Sequence, residues 1–238
     1  MNKKIMVTGA SSGIGEMVCK YLSEQGYYVI MVARNEQRLK RVSDELTSEC
    51  MILPYDLQNL MDIEELIQKA TVGGKLHGLV HCAGVNRDVP VKMNDVQDMK
   101  EVMTINYYSF VELAKYFYRK RYSENGASII AVSSMAAIAC SKGMCNYSAS
   151  KEALNVAVKV MSKEFSKRKI RVNSIMPGYV DTPMLSNLRE QGNFHELMKG
   201  QPLGLIDPQQ VAYLIEFLLS DKSISVTGAN IPITGGSN

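Results

Sequence analysis

Short apolar runs alternate along the chain with longer stretches in which apolar residues return every three or four positions. The runs Ile5–Thr8, Tyr28–Ala33, Met51–Pro54, Leu79–Cys82, Ser128–Ser133, Ile170–Ile175 and Ala229–Ile233 predict strands buried on both faces. Between them, Gly13–Gln25 sets Ile14, Val18 and Leu22 on one helical face. Further helices are predicted over Asn35–Leu46, Ile63–Ala70, Val96–Arg121, Tyr147–Ser166 and Pro208–Leu219. Apolar strands joined by amphipathic helices form right-handed βαβ units, and these build a parallel sheet covered on both sides. The expected architecture is therefore α/β, a doubly wound parallel sheet of about seven strands. No linker, repeat or low-complexity segment divides it, so one domain over residues 1–238 is expected. The stretch 184–207, with Gly192, Gly200 and Gly204, breaks the alternation and reads as a substrate loop or lid.

Composition narrows the function. The chain has 238 residues, 27 Lys+Arg against 24 Asp+Glu, and a formal charge of +3, which argues against nucleic acid or a membrane surface as partner. The 46% hydrophobic content is that of an ordinary folded domain. Five cysteines, an odd count without a CxxC pair, point to a reducing compartment. No apolar run reaches the length of a membrane span and the N-terminal residues lack a signal-peptide core, so a cytoplasmic location is expected. His77, His81 and His195 are scattered, and no metal site is expected.

Thr8-Gly9-Ala10-Ser11-Ser12-Gly13-Ile14-Gly15 follows the first strand and opens the first helix. Glycines allow a tight turn that a pyrophosphate can approach, and the helix N-terminus adds free N–H donors and a positive dipole end. The spacing is GxxxGxG rather than GxGxxG. Tyr147-Ser148-Ala149-Ser150-Lys151 opens a later helix, and residues four apart share a face, so phenol and ammonium project together. A nearby ammonium stabilises a phenolate and is expected to lower the Tyr147 pKa toward working pH. Ser133-Ser134 ends the fifth strand, where a doubly wound sheet opens its ligand crevice.

With these motifs the chain resembles the short-chain dehydrogenase/reductase family in its non-extended form, from Val7 to Gly236. The resemblance implies a Rossmann-type fold and a nicotinamide dinucleotide cofactor. It assigns the catalytic set to Asn106, Ser134, Tyr147 and Lys151, with Ser134 thirteen residues before Tyr147. Asn106 would order water behind Lys151, and Lys151 would also hold the nicotinamide ribose. The cofactor set it implies is Gly9, Ser11, Ser12, Gly13, Ile14, Gly15, Arg34, Asp56, Leu57, Ala83, Gly84, Tyr147, Lys151, Pro177, Gly178, Val180 and Thr182. Arg34, directly after the second strand, has no carboxylate beside it and suits a 2′-phosphate, so NADP(H) is favoured and NAD(H) is possible. Ser12 stands where some NADP-dependent members carry a second basic residue. Asp56 would bond the adenine, cap the next helix, or both. Cys82 replaces the usual Asn of Asn-Ala-Gly, and a reactive-thiol role for it has no support.

Within the family, length and layout most resemble the 3-oxoacyl-carrier-protein reductases. Ile231-Pro232-Ile233-Thr234-Gly235-Gly236 and Pro202-Leu203-Gly204 match their closing segments. Leu205 stands where those reductases often have Arg, so a sugar, steroid or other small secondary alcohol stays open as substrate. Met135, Met144, Met184 and Met198 fall near the expected site or lid and suit an adaptable apolar pocket. The expected partners are a small carbonyl substrate, free or as an acyl chain on a carrier protein, and other copies of the chain in a homotetramer or homodimer. A non-enzymatic nucleotide-binding scaffold is disfavoured because all four catalytic positions are filled.

Overall fold

The structure, a computed structural model, describes residues 2–185 and 199–237. In chain order its main elements are β1 (Lys4–Thr8), α1 (Gly13–Glu24), β2 (Tyr28–Ala33), α2 (Glu36–Ser43), β3 (Cys50–Pro54), α3 (Ile63–Ala70) and β4 (Leu76–His81). There follow α4 (Val96–Met103), α5 (Ser109–Phe117), β5 (Ser123–Val132), α6 (Ala136–Ala139), α7 (Cys145–Glu164), β6 (Arg171–Pro177), α8 (Pro208–Leu219) and β7 (Asn230–Ile233). The seven strands form one parallel sheet in the order β3-β2-β1-β4-β5-β6-β7.

Successive strand residues point to opposite faces, and each face has its own core. Met6, Ile30, Leu79 and Ile129 pack under α3, α5 and α7, with Phe110 and Phe117 fully buried there. Ile5, Val29, Val80 and Ile130 pack under α1, α2 and α8. Burial on both faces is why the strands read as unbroken apolar runs. The strand order reverses between β1 and β4, which opens a crevice at their carboxyl ends.

Three element boundaries differ from expectation for identifiable reasons. β5 begins at Ser123 rather than Ser128: Ser123 pairs with Leu76, the register then shifts, and polar Ser123-Glu124-Asn125-Gly126 carry no apolar signal. The helix expected over Val96–Arg121 is α4, a five-residue π-turn at Thr104–Tyr108, and α5, which stops at Phe117. The second helix starts one residue late because Asn35 is its N-cap, Oδ1 accepting from the Arg38 amide at 2.9 Å. The third strand ends at Pro54 as expected, and Asp56 lies in the turn beyond it.

Residues 186–198 of the expected lid, with Gly192, His195 and Met198, lie outside the described residues. Its described end is well anchored. Buried Gln201 accepts from the Tyr179 amide at 2.8 Å and donates to the Tyr179 and Gly204 carbonyls at 2.9 and 2.7 Å.

Candidate active site

The Gly9–Gly15 turn sits at the carboxyl end of β1, inside the crevice. A Cβ on Gly9, where φ is +68°, would stand 2.7 Å from the Ala83 amide nitrogen. One on Gly15 would stand 2.2 Å from the Gly9 carbonyl oxygen. Both glycines are thus demanded by the way the turn folds back on the β4 end. Ser12 is the N-cap of α1, yet its hydroxyl caps no backbone amide. The first-turn N–H groups of that helix are left for a ligand. Ser11, Ser12 and Gly13 open onto a cavity of about 480 Å³ that also receives Arg38 and Arg41. Sequence reasoning missed these two arginines; they repeat, four and seven residues on, the basic character of Arg34. Arg34 itself stands exposed at the end of β2, and Arg41 is ion-paired with Glu16 at 2.8 Å.

At the β4 end, the Cys82 amide donates to the Thr8 carbonyl at 3.2 Å and the Ala83 amide to the Thr8 hydroxyl at 3.3 Å. Gly84 lies where a Cβ would meet Lys151 Nζ at 3.2 Å and Asn106 Oδ1 at 3.4 Å. Burial pushes the Cys82 thiol up to about 12, so it stays protonated and unreactive. Asp56 Oδ1 accepts from the Gln58 amide at 3.0 Å in a turn, the next helical segment has Asn59 at its N-cap instead, and Leu57 is buried in the core.

Ser134 follows β5 and takes the Ala136 amide on its hydroxyl oxygen at 3.1 Å. Buried Tyr147 and Lys151 lie one turn apart on α7, with Nζ 5.6 Å from the phenol ring centre. The ammonium donates to the Val132 carbonyl at 2.7 Å, and desolvation lowers its pKa from 10.5 to about 8. The expected depression of the Tyr147 pKa is not found. Burial raises the phenol above 10, the adjacent Ser134 hydroxyl opposes this, and the Asp88 charge adds to it. The reason is geometric: Lys151 is turned to a backbone carbonyl rather than to the phenol oxygen.

Asn106 is wholly buried on the π-turn. Its Nδ2 donates to the Val85 carbonyl at 3.0 Å and to Ser150 Oγ at 2.9 Å, while Oδ1 accepts from the Val85 amide at 2.8 Å. The side chain thus fastens the Gly84–Val85 backbone to α7. After β6, the Pro177 carbonyl accepts from the Met135 amide and the Gly178 amide donates to Ile233, each at 2.9 Å. Val180 bridges to Ile206, and Thr182 reaches the phosphate turn, its methyl 3.2 Å from the place of a Gly13 Cβ. Among the described residues no group of His, Cys, Asp and Glu could hold a metal ion.

A strand-end crevice holding a glycine turn, a Ser–Tyr–Lys set and a buried Asn defines an oxidoreductase class, and the comparisons agree. Residues 9–238 match the family model described as enoyl-(acyl carrier protein) reductase. The chain belongs to the short-chain dehydrogenase/reductase family and is an oxidoreductase of it. It is 33% identical over 236 residues to the 3-oxoacyl-(acyl-carrier-protein) reductase of Rickettsia prowazekii, covering 98% of this chain and 96% of that one. It is 30% identical over 238 residues to the enzyme of the same name from Homo sapiens, covering 99% and 98%. Among solved structures it resembles a glucose/ribitol dehydrogenase-type member from Brucella melitensis, with TM-score 0.93, 27% identity, and coverage of 99% and 96%. Among the described residues no helix is long and apolar enough to cross a membrane.

Proposed function

We propose that this protein is an NADP(H)-dependent reductase that converts a carbonyl, in the manner of a 3-oxoacyl thioester, to a secondary alcohol. The observation that carries this reading is the meeting of Ser134, Tyr147 and Lys151 beside the Gly9–Gly15 turn at the carboxyl ends of the central strands. The cofactor fits these residues: the glycine cradle has no room for a Cβ, the Ser12 hydroxyl is uncommitted as a cap, and Arg38 and Arg41 line the adjoining cavity. Gly9, Ser11, Ser12, Gly13, Ile14 and Gly15 would hold the pyrophosphate, and Arg34 with Arg38 the 2′-phosphate. Ala83, Gly84, Pro177, Gly178, Val180 and Thr182 would flank the nicotinamide half. When bound, the reduced nicotinamide supplies a hydride to the carbonyl carbon.

The protein's own contribution is a proton and a polarised oxygen. Tyr147, kept protonated by burial, delivers its phenolic proton to the oxygen that gains charge during reduction. The Ser134 hydroxyl donates a hydrogen bond to that oxygen. Lys151, 5.6 Å from the phenol ring centre, would offset the charge of the phenolate left behind once its ammonium turns toward it from the Val132 carbonyl. Asn106 holds Gly84 and Val85 against Lys151, so its amide acts by position. The relatives named for 3-oxoacyl carrier-protein substrates favour an acyl thioester over a sugar.

The test is NADPH oxidation against a panel of ketones that includes acetoacetyl thioesters. Thioester reduction is expected, and Tyr147→Phe should lower kcat at least a thousandfold while NADPH still binds by fluorescence titration. Normal turnover by that variant would reject the assignment.

A further inference from the structure

His81, the last residue of β4, is fully buried, and the mechanism above does not use it. Its Nδ1 lies 2.9 Å from Thr8 Oγ1. The Thr8 oxygen accepts from the Ala83 amide at 3.3 Å, and we infer that its own hydrogen points at Nδ1. Nδ1 is then the acceptor, and the ring proton sits on Nε2. Nε2 is buried with no partner at hydrogen-bond distance, and the ring faces the backbone carbonyls of Ile105 and Asn106. Those carbonyls belong to the π-turn, where the Ser109 amide reaches back five residues to Thr104. The Ile105 oxygen also takes the Ser109 hydroxyl at 2.7 Å.

We propose that His81 is a positioning residue that ties the phosphate turn, through Thr8, to the π-turn that carries Asn106. This rests on the reductase reading above. Hydrogen bonds run from the Ala83 amide to Thr8 and between Thr8 and His81, and the unpartnered Nε2 edge of the ring faces the carbonyls of Ile105 and Asn106. The Asn106 side chain continues to Ser150, next in sequence to Lys151. Cofactor turn and catalytic helix thus share one polar spine through the core. Burial lowers the imidazole to about 3, so the ring stays neutral and adds no positive charge near Lys151. A buried imidazole used only as filler would need no fixed tautomer. Thr8 as donor selects the Nε2–H form here.

Three measurements test the proposal. In long-range ¹H–¹⁵N spectra of the wild-type protein, one of the three histidines should be the Nε2–H tautomer and fail to titrate between pH 5 and 8. Its loss in His81→Phe assigns it. An Nδ1–H tautomer, or titration in that range, overturns the proposal. In hydrogen exchange, amides at 104–109 should open at least tenfold faster in His81→Phe and near the wild-type rate in His81→Gln. The Gln amide can accept and donate in place of the ring. In turnover, the Phe variant should lose at least tenfold in kcat with the NADPH KM within threefold, and Gln should recover most of it. Equal loss in both variants, or none in Phe, overturns the role. If the wild-type protein reduces no carbonyl, the reductase reading fails on that ground, while the tautomer and exchange results still decide the spine.

Discussion

At the scale of single residues, Lys151 pits charge against burial. Its ammonium is only 3% exposed and its folded pKa of about 8 lies below 10.5. That gap corresponds to a destabilisation of about 3 kcal/mol whenever the group is charged. Between those pH values the unfolded chain binds more protons than the folded one, so stability should rise as pH climbs from about 8 toward 10.5. Lys151→Met should therefore raise Tm at pH 7 by several degrees, flatten this pH dependence, and abolish turnover. Thermal unfolding from pH 7 to 10 checks the sign, and an unchanged Tm with an unchanged slope would show that the ammonium is adequately solvated. Arg34 presents a simpler case. It stands exposed with Arg38 one helical turn away, so Arg34→Asp should raise the NADPH KM at least tenfold and leave the NADH KM nearly unchanged. Unchanged cofactor preference in initial-rate kinetics would move the 2′-phosphate role to Arg38 and Arg41.

At the scale of elements, the strands and most helices were legible because burial on both sheet faces leaves unbroken apolar runs. The glycine turn, Ser134, Tyr147 and Lys151 were legible because each sits at a fixed place relative to such a run. What escaped was polar and non-local. The early start of β5 lies in polar residues, and the π-turn has no compositional mark beyond Asn106. Gln201 and Arg171 act through backbone carbonyls far off in sequence. Arg171, first in β6, sends its guanidinium to the carbonyls of Leu218, Leu219, Ser220 and Ser223 and to the Ser223 hydroxyl. It thereby satisfies the open C-terminal end of α8, which has no glycine cap. A lysine cannot reach five acceptors from one point. Arg171→Lys should cost about 2 kcal/mol, or roughly 4–8 °C in Tm, while kcat at 25 °C stays within twofold. Calorimetry together with the ketone assay separates the two effects, and an undiminished Tm would make the cap redundant.

At the scale of the whole molecule, the apolar surface is distributed unevenly. Val96 and Met99 of α4, Tyr108 of the π-turn, and Val156 and Val160 of α7 are exposed, on helices that pack together on one side of the sheet. The opposite flank of α8 exposes Tyr213 and Phe217. Leaving large side chains in water on two faces forgoes about 25 cal/mol for each Å² of apolar area, and self-association recovers it. Two such faces on one chain suit two interfaces and so a homotetramer with closed symmetry. Light scattering on the eluted protein should give four times the chain mass. Val156→Glu with Val160→Glu would bury two carboxylates per chain at one interface and should reduce the particle to a dimer held by the other. The first turn of α7 carries Tyr147, so this dimer is expected to keep its fold by circular dichroism yet lose activity in proportion to the freedom α7 gains. A wild-type monomer would refute the assembly. A monomer from the double variant would show that α8 supports no interface of its own.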